Sequence, residues 1–170
     1  MGTWEEHREG ARKQLDISLV TISTSKYLDR TKKDISGEIA RNLLEKTGHR
    51  VLSTTIIPDR KDMIRRELLR LLISDTDVII TSGGTGLTSD DITIEAITPL
   101  FKKEIPGFGE LFRRLSYDEI GGASMLTRAA AGVIEGKLVI CLPGSPDAVR
   151  LALEKILLPE LPHLMRHISE

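Results

Sequence analysis

A glycine- and hydroxyl-rich segment at residues 82–88 has the residue types that best suit the binding of an anion. Its candidate ligand-binding residues are Ser82, Gly83, Gly84, Thr85, Gly86 and Thr88. Glycines let a backbone approach a ligand closely, and successive N–H groups can cradle an anion. The segment is not a P-loop, which ends in Gly-Lys-Ser/Thr, nor a dinucleotide fingerprint, which needs glycine where Ser89 stands. A plain strand-to-helix turn is the alternative interpretation.

Two adjacent carboxylates, Asp90 and Asp91, follow this segment and complicate an anion site because they repel phosphate. They suit such a site if one caps the next helix and the other, Asp91, holds Mg²⁺ against the phosphates. Alternatively, both are charges that favour a helix N-terminus. Asp59 follows the second predicted strand, and we expect its carboxylate to cap the helix that starts nearby. Asp59 and Asp91 at one sheet edge would resemble a metal and phosphoryl-transfer site.

A second loop of the same kind contains Pro143, Gly144 and Ser145, again between a predicted strand and a predicted helix. Glycine between prolines gives a rigid turn whose N–H groups point outward. Two further candidates are weaker. His163 and His167 have the i, i+4 spacing of zinc ligands, but the glutamate of the protease motif is absent.

The apolar pattern predicts the elements that position these loops. Buried strands are expected at 17–22, 51–57, 77–81, 129–134 and 138–142, and helices at about 35–44, 59–72, 91–101, 108–115 and after 146. Glu135-Gly136-Lys137 predicts a hairpin with three intervening residues. The alternation predicts a three-layer α/β fold: a mostly parallel sheet, helices on both faces and one antiparallel hairpin. In such sheets, ligands bind beyond the carboxyl ends of the strands, at a switch point.

Composition limits the remaining possibilities. The 170 residues suit one domain at 15–170, preceded by a charged arm at 1–14 that we expect to be mobile, with Trp4 able to dock on a neighbouring subunit. Lys and Arg total 24 against 25 for Asp and Glu, so no nucleic-acid or membrane partner is expected. The single cysteine, Cys141, excludes a disulfide framework and is expected to be an inert strand residue. The start lacks an apolar signal core, which predicts a cytoplasmic protein.

Together these loops resemble the MoaB/MogA family of molybdenum cofactor biosynthesis proteins, which includes the G domains of gephyrin and its plant counterpart. The resemblance covers about residues 16–160. Its motifs are Thr81–Gly86 with Asp91-Ile92-Thr93, Pro106-Gly107-Phe108-Gly109-Glu110 and Pro143–Pro146, with smaller matches at Asp34-Ile35-Ser36-Gly37 and Pro58-Asp59. Residues 115–121 are more similar to the MoaB branch.

The resemblance implies a molybdopterin-binding fold that assembles as a homotrimer or homohexamer. It also implies an enzyme that transfers AMP from Mg-ATP to the terminal phosphate of molybdopterin and releases pyrophosphate. Asp59 and Asp91 match the family's two functional aspartates, with Asp91 as the Mg²⁺ ligand. Gly83–Gly86 match its nucleotide and pterin loop, and Pro143–Ser145 match its second ligand loop.

One departure from the family concerns the loop after the first strand. The family often has Ser-Asp there, whereas this chain has Ser23-Thr24-Ser25-Lys26. We therefore include the hydroxyl of Ser25 among the binding candidates, and Lys26 could reach a phosphate in place of the missing carboxylate. Two alternatives to an enzyme stay open: a molybdopterin-binding module without turnover, and a scaffold that organises other proteins. Retention of Asp59 and Asp91 favours the enzyme.

Overall fold

One mixed sheet of six strands forms the centre of the protein in a computed structural model that describes residues 14–170. The strands are β1 (Asp16–Ile22), β2 (Arg50–Ile57), β3 (Val78–Ser82), β4 (Lys103–Glu104), β5 (Ala130–Ile134) and β6 (Lys137–Leu142). They lie in the order β2-β1-β3-β6-β5-β4. β1 pairs in parallel with β2 and β3, and β3 with β6, while β5 is antiparallel to β6 and β4.

Seven α-helices connect or flank these strands in the described part of the chain. They are α1 (Thr24–Leu28), α2 (Ile35–Lys46), α3 (Lys61–Leu72), α4 (Thr93–Ile97), α5 (Pro106–Ile120), α6 (Pro146–Ala152) and α7 (Leu158–Ser169). Short 3₁₀ segments follow α4 (Thr98–Leu100) and α5 (Gly121–Leu126), and a π-helical stretch (Leu153–Leu157) joins α6 to α7.

Successive side chains along the central strands point to opposite faces of the sheet. They pack into two separate hydrophobic cores, one on each face. Leu19 and Ile80 point into a core with α2, α5, α6 and α7, whereas Val20 and Ile79 point into a second core with α3 and α4. This is the alternation expected of strands that are buried on both faces. The predicted three-layer α/β arrangement is thus confirmed.

The switch point of the sheet lies between β1 and β3. The chain leaves β1 to add β2 on one side, and then returns to add β3 on the other side. Connections on opposite faces leave a crevice at the carboxyl ends of such strands. The chain segment after β1 and the glycine loop after β3 both begin at this edge of the sheet.

Several element boundaries differ from the sequence predictions. The predicted helix at 91–101 begins instead at Thr93 and becomes 3₁₀ after Ile97, because Asp91 closes the preceding loop. The motif Pro106–Glu110 forms the first turn of α5, which therefore begins two residues before the predicted start at 108, and Phe108 is buried in the core with 6% exposure. The hairpin has two intervening residues, Glu135 and Gly136, rather than three.

A second antiparallel pairing is also present, since the two-residue strand β4 extends the sheet beyond β5. The predicted arm falls almost wholly outside the described residues, as does Trp4. Within residues 14–170, no helix has the length and apolarity needed to cross a membrane.

Candidate functional site

The glycine loop turns sharply at the end of β3 and depends on two glycines. Gly83 has φ +100°, and a Cβ there would lie 2.2 Å from the carbonyl oxygen of Ile22 in β1. Gly84 has φ +62°, and a Cβ there would lie 2.4 Å from the hydroxyl of Thr93. Positive φ and contacts this close exclude any side chain, so only glycine fits this turn.

Thr93, at the start of α4, fixes the turn through two hydrogen bonds. Its hydroxyl donates to the carbonyl of Gly83 at 2.8 Å, and its N–H donates to the carbonyl of Gly84 at 2.9 Å. The side chain is fully buried. The N–H of Gly83 also donates within the protein, to the carbonyl of Leu142 at 3.0 Å, so the N–H groups that follow it in the loop are the ones left for a ligand. In the sequence, Thr93 belongs to the motif Asp91-Ile92-Thr93 but was not among the predicted site residues.

Asp59 lies against the same turn from the end of β2. Its Oδ2 accepts hydrogen bonds from the N–H of Thr24 at 2.7 Å and from the Thr24 hydroxyl at 2.8 Å. Its Oδ1 stands 2.9 Å from the position that a Cβ of Gly84 would take. The prediction that Asp59 caps α3 is wrong: the helix begins after Arg60 without a side-chain cap, because Thr24 engages the carboxylate instead.

Asp91 closes the far end of the glycine loop. Its Oδ2 accepts hydrogen bonds from the N–H and hydroxyl of Thr88 at 3.0 and 2.6 Å, and the Gly86 backbone also donates to the carboxylate. These bonds, led by the Thr88 hydroxyl and helped by the nearby charge of Arg128, lower the pKa of Asp91. The carboxylate therefore holds a loop rather than a helix end, since α4 has no side-chain cap.

Arg128, just before β5, is a residue that the sequence analysis missed. Its Nε donates to the carbonyl of Thr85 at 2.9 Å, and one terminal nitrogen donates to the carbonyl of Asp91 at 3.3 Å. Both terminal nitrogens also donate to the carboxylate of Glu95 in α4. One planar group thus holds both ends of the loop together. A lone arginine before a strand gives no sequence signal for this role.

Asp34, at the N-cap of α2, adds a third carboxylate near the loop after β1. Its Oδ2 accepts a 2.5 Å hydrogen bond from the Thr21 hydroxyl, and its Oδ1 pairs with Lys26 Nζ at 2.8 Å. In the sequence, Asp34 stands out only as part of a smaller motif match. Lys26, expected to reach a phosphate, is bonded to this carboxylate instead.

The second predicted loop meets the first directly. A Cβ on Gly144 would stand 3.1 Å from the Cα of Gly83, so the two backbones are in contact. The Ser36 hydroxyl donates to the carbonyl of Gly144 at 2.7 Å. Ser145 is the N-cap of α6 and accepts from the N–H of Ala148 at 3.2 Å, while Pro143 is half-buried at the end of β6. The structure therefore brings residues 82–88 and 143–145 together.

The other predicted residues lie apart from this contact. Ser25 is exposed on α1, with its hydroxyl 3.3 Å from that of Ser23. His163 and His167 lie on α7, with their Nε2 atoms 2.9 Å apart. Cys141 is fully buried in β6, where desolvation raises the pKa of its thiol to about 12.

The described residues contain no cluster of three or more side chains of the kinds that bind metals. A zinc site at the two histidines is therefore not supported within residues 14–170. A Mg²⁺ ion needs fewer protein ligands, since it is commonly bound by one or two carboxylates together with substrate phosphates and water. Asp59 and Asp91, held against the glycine loop with Oδ1 of Asp59 directed at Gly84, fit that requirement.

Comparisons with known proteins agree with this geometry. A family model described as a probable molybdopterin binding domain matches residues 18–163. Molybdenum cofactor biosynthesis protein B of Bacillus subtilis is 44% identical over 168 residues, which cover 98% of this chain and 97% of that protein. The crystal structure of the tungsten cofactor synthesizing protein MoaB from Pyrococcus furiosus is 41% identical, with a TM-score of 0.87 and coverage of 94% and 100%.

A MogA structure is also similar, at 31% identity and a TM-score of 0.82, with coverage of 90% of this chain and 99% of that one. The fold is thus shared with both branches, while the identity is higher to the two MoaB-type proteins. This chain belongs to the MoaB/MogA family of molybdopterin-binding, molybdenum cofactor biosynthesis proteins, on its MoaB side.

Proposed function

We propose that this protein transfers an adenylyl group from Mg-ATP to the terminal phosphate of molybdopterin, giving adenylyl-molybdopterin and pyrophosphate. The observation that carries the proposal is the placement of two carboxylates, Asp59 and Asp91, against a single anion-binding loop. Each is held by the hydroxyl and N–H of one threonine, Thr24 or Thr88. A binding loop alone has no need of two fixed negative charges beside a phosphate.

The two loops supply the binding surface for the phosphates. The N–H of Gly83 donates to the carbonyl of Leu142 and that of Gly86 to the Asp91 carboxylate, so the N–H groups of Gly84 and Thr85 are the ones that would meet a ligand phosphate. Residues 143–145 lie beside them in backbone contact, so a ligand meets both loops at once. Fixed N–H dipoles of this kind stabilise phosphate charge without reorganisation during the reaction. Family membership supports molybdopterin as the ligand.

Asp59 and Asp91 would hold a magnesium ion together with the substrate phosphates. Bound there, the ion would neutralise charge on the phosphates. The chain's own contribution is to orient both carboxylates and, at Asp91, to favour the charged form. The Thr88 hydrogen bonds do this for Asp91, as the lowered pKa of that group shows. The hydrogen bonds from Thr24 orient the carboxylate of Asp59.

In the reaction, an oxygen of the molybdopterin phosphate attacks the α-phosphorus of ATP. A new P–O bond forms, the bond from the α-phosphorus to the β-bridging oxygen breaks, and pyrophosphate leaves with that electron pair. The attacking phosphate is already ionised, so no protein base has to remove a proton. Catalysis therefore depends on positioning and on charge neutralisation, which the rigid loops and the two carboxylates supply.

The direct test incubates the protein with molybdopterin, ATP and Mg²⁺. We expect stoichiometric release of pyrophosphate and a product whose mass equals molybdopterin plus AMP. Retention of molybdopterin without either product would overturn the proposal and favour a binding module. Failure to bind molybdopterin at all would leave the scaffold function as the better account.

A further inference from the structure

A basic cleft beside α1 is a second anion-binding feature that the proposed mechanism does not use. It has a volume of about 510 Å³ and opens between α1 with its following loop and the edge strand β2. It is lined by Lys26, Tyr27, Arg30, Lys32, Thr54, Thr55 and Ile56. Three of these side chains are cationic and none is a carboxylate.

The charge of this cleft is only partly compensated. Residues 24–33 contain four basic side chains and one acidic one, Asp29. Asp29 accepts from the hydroxyl and N–H of Thr31 at 2.6 and 3.1 Å, and the charge of Lys32 lies near enough to lower its pKa further. Within residues 14–170, the guanidinium of Arg30 has neither a hydrogen bond nor an ion pair. An exposed cation held without a protein partner is available to a ligand.

Lys26 connects the cleft to the candidate site. Its side chain lines the cleft, and its Nζ pairs at 2.8 Å with Asp34, which in turn is bonded to Thr21 of β1. Thr24, two residues earlier on the same helix, is bonded to Asp59. The short helix α1 therefore lies between the glycine-loop carboxylate on one side and the basic cleft on the other.

The proposed reaction requires a second anion site away from the glycine loop. In phosphoryl transfer, the attacking and leaving oxygens lie roughly in line on opposite sides of the reacting phosphorus. If the molybdopterin phosphate lies on the glycine loop, the β- and γ-phosphates of ATP must lie away from that loop. They carry most of the charge of the nucleotide, and arginine and lysine are the side chains that bind such phosphates.

The geometry points to this cleft as the site that binds the β,γ-diphosphate of the nucleotide and then the released pyrophosphate, with Arg30 and Lys32 as its main contacts. This inference rests on the proposed function. It adds that the two reacting phosphates are held by different elements: the attacking one by the glycine loop and the departing ones by residues 26–32.

Calorimetry with pyrophosphate and Mg²⁺ tests the inference without any turnover. The variant Arg30→Ala/Lys32→Ala should bind pyrophosphate at least ~10-fold more weakly than the unmodified protein, since hydrogen bonds to charged groups are lost. Its affinity for molybdopterin should change less than about twofold, because the glycine loop is untouched. Both positions are exposed, so we expect the melting temperature to stay unchanged.

Lys46→Ala/Lys155→Ala is the matched control, because it also removes two positive charges from exposed positions. Lys46 is the last residue of α2, and Lys155 lies in the π-helical stretch. It should leave pyrophosphate binding unchanged, which excludes an effect of net charge alone. Arg30→Lys should give an intermediate affinity, since it keeps the charge but not the planar donor pair. Equal weakening in the control, or affinity for pyrophosphate no greater than for inorganic phosphate, would overturn the inference.

The test also separates this inference from the proposed function. If the cleft variant loses pyrophosphate binding while the unmodified protein makes no adenylyl-molybdopterin, the cleft stands and the transferase function falls. If the unmodified protein makes the product and the cleft variant binds pyrophosphate normally, the function stands and the cleft assignment falls.

Discussion

Arg128 donates a hydrogen bond from its Nε to the carbonyl oxygen of Thr85 across 2.9 Å, and so joins the start of β5 to the glycine loop. The same guanidinium reaches the carbonyl of Asp91 and the carboxylate of Glu95. Its side chain is 28% exposed, which leaves it partly shielded from water. The loop that is proposed to bind phosphate is therefore held closed by a residue about forty positions later in the chain.

Replacing Arg128 with lysine should loosen the loop while leaving the fold intact. A single ammonium cannot donate to Thr85, Asp91 and Glu95 in the fixed geometry of a guanidinium. We expect the affinity for molybdopterin to fall at least ~10-fold, with far-UV circular dichroism unchanged. The control is Arg114→Lys on α5, where the arginine pairs at the surface with Asp118 and with no other side chain of residues 14–170. Equal affinities for both variants and the unmodified protein would show that Arg128 does not position the loop.

Gly84→Ala should abolish ligand binding, because its Cβ would meet the Thr93 hydroxyl at 2.4 Å and Oδ1 of Asp59 at 2.9 Å. Gly84→Val should also abolish ligand binding, since its side chain is larger. Gly136→Ala is the matched control: it has a similar φ of +74° in the β5-β6 turn, but nothing lies within 4 Å of its Cβ. The control should cost about 1–2 kcal/mol of unfolding free energy and no affinity. Normal molybdopterin binding by Gly84→Ala would mean that this turn is only a connection.

The sequence predicted most of the sheet because β-branched, apolar runs leave few other choices to a buried strand. It also predicted the glycine loop, since three glycines between a strand and a helix mark a turn that side chains would obstruct. It could not reveal β4, whose two exposed residues, Lys103 and Glu104, carry no periodic pattern.

The site was predicted less completely, because its contacts join distant parts of the chain. Asp59 suits a helix cap locally, yet Thr24, 35 positions earlier, offers it two hydrogen bonds once β1 and β2 are paired. Arg128 and Asp34 likewise acquire their roles only when the sheet brings separate loops to one edge. Spacing along the chain does not encode such contacts.

We expect a closed oligomer, a trimer or a hexamer, at micromolar concentration. Four large side chains at the end of α5 and in the 3₁₀ segment that follows it are each more than half exposed: Tyr117, Ile120, Met125 and Leu126. Several large apolar side chains exposed in one short stretch of chain are typical of a subunit interface. Light scattering should give three or six times 18.9 kDa. A mass of one chain at that concentration would refute this expectation.

Cys141 should be unreactive in the folded protein. Complete burial raises the pKa of its thiol to about 12, so the reactive thiolate is scarce at pH 8 and no reagent can reach it. A thiol reagent such as dithionitrobenzoate should therefore label the protein only after guanidinium is added. Labelling of the native protein at the rate of a free thiol would show that the β6 region opens readily.

The central claim is that Asp59 and Asp91 act on the phosphates, and single-turnover pyrophosphate release with excess Mg²⁺ tests it. Asp91→Asn keeps an oxygen that can accept from Thr88 but removes the charge, so we expect a rate loss of roughly 10²-fold or more with molybdopterin binding retained. Asp59→Asn should behave similarly, and the double variant should lose less than the product of the two single losses if both carboxylates serve one site. Full activity in Asp91→Asn would show that this carboxylate only holds the loop, and would contradict the mechanism.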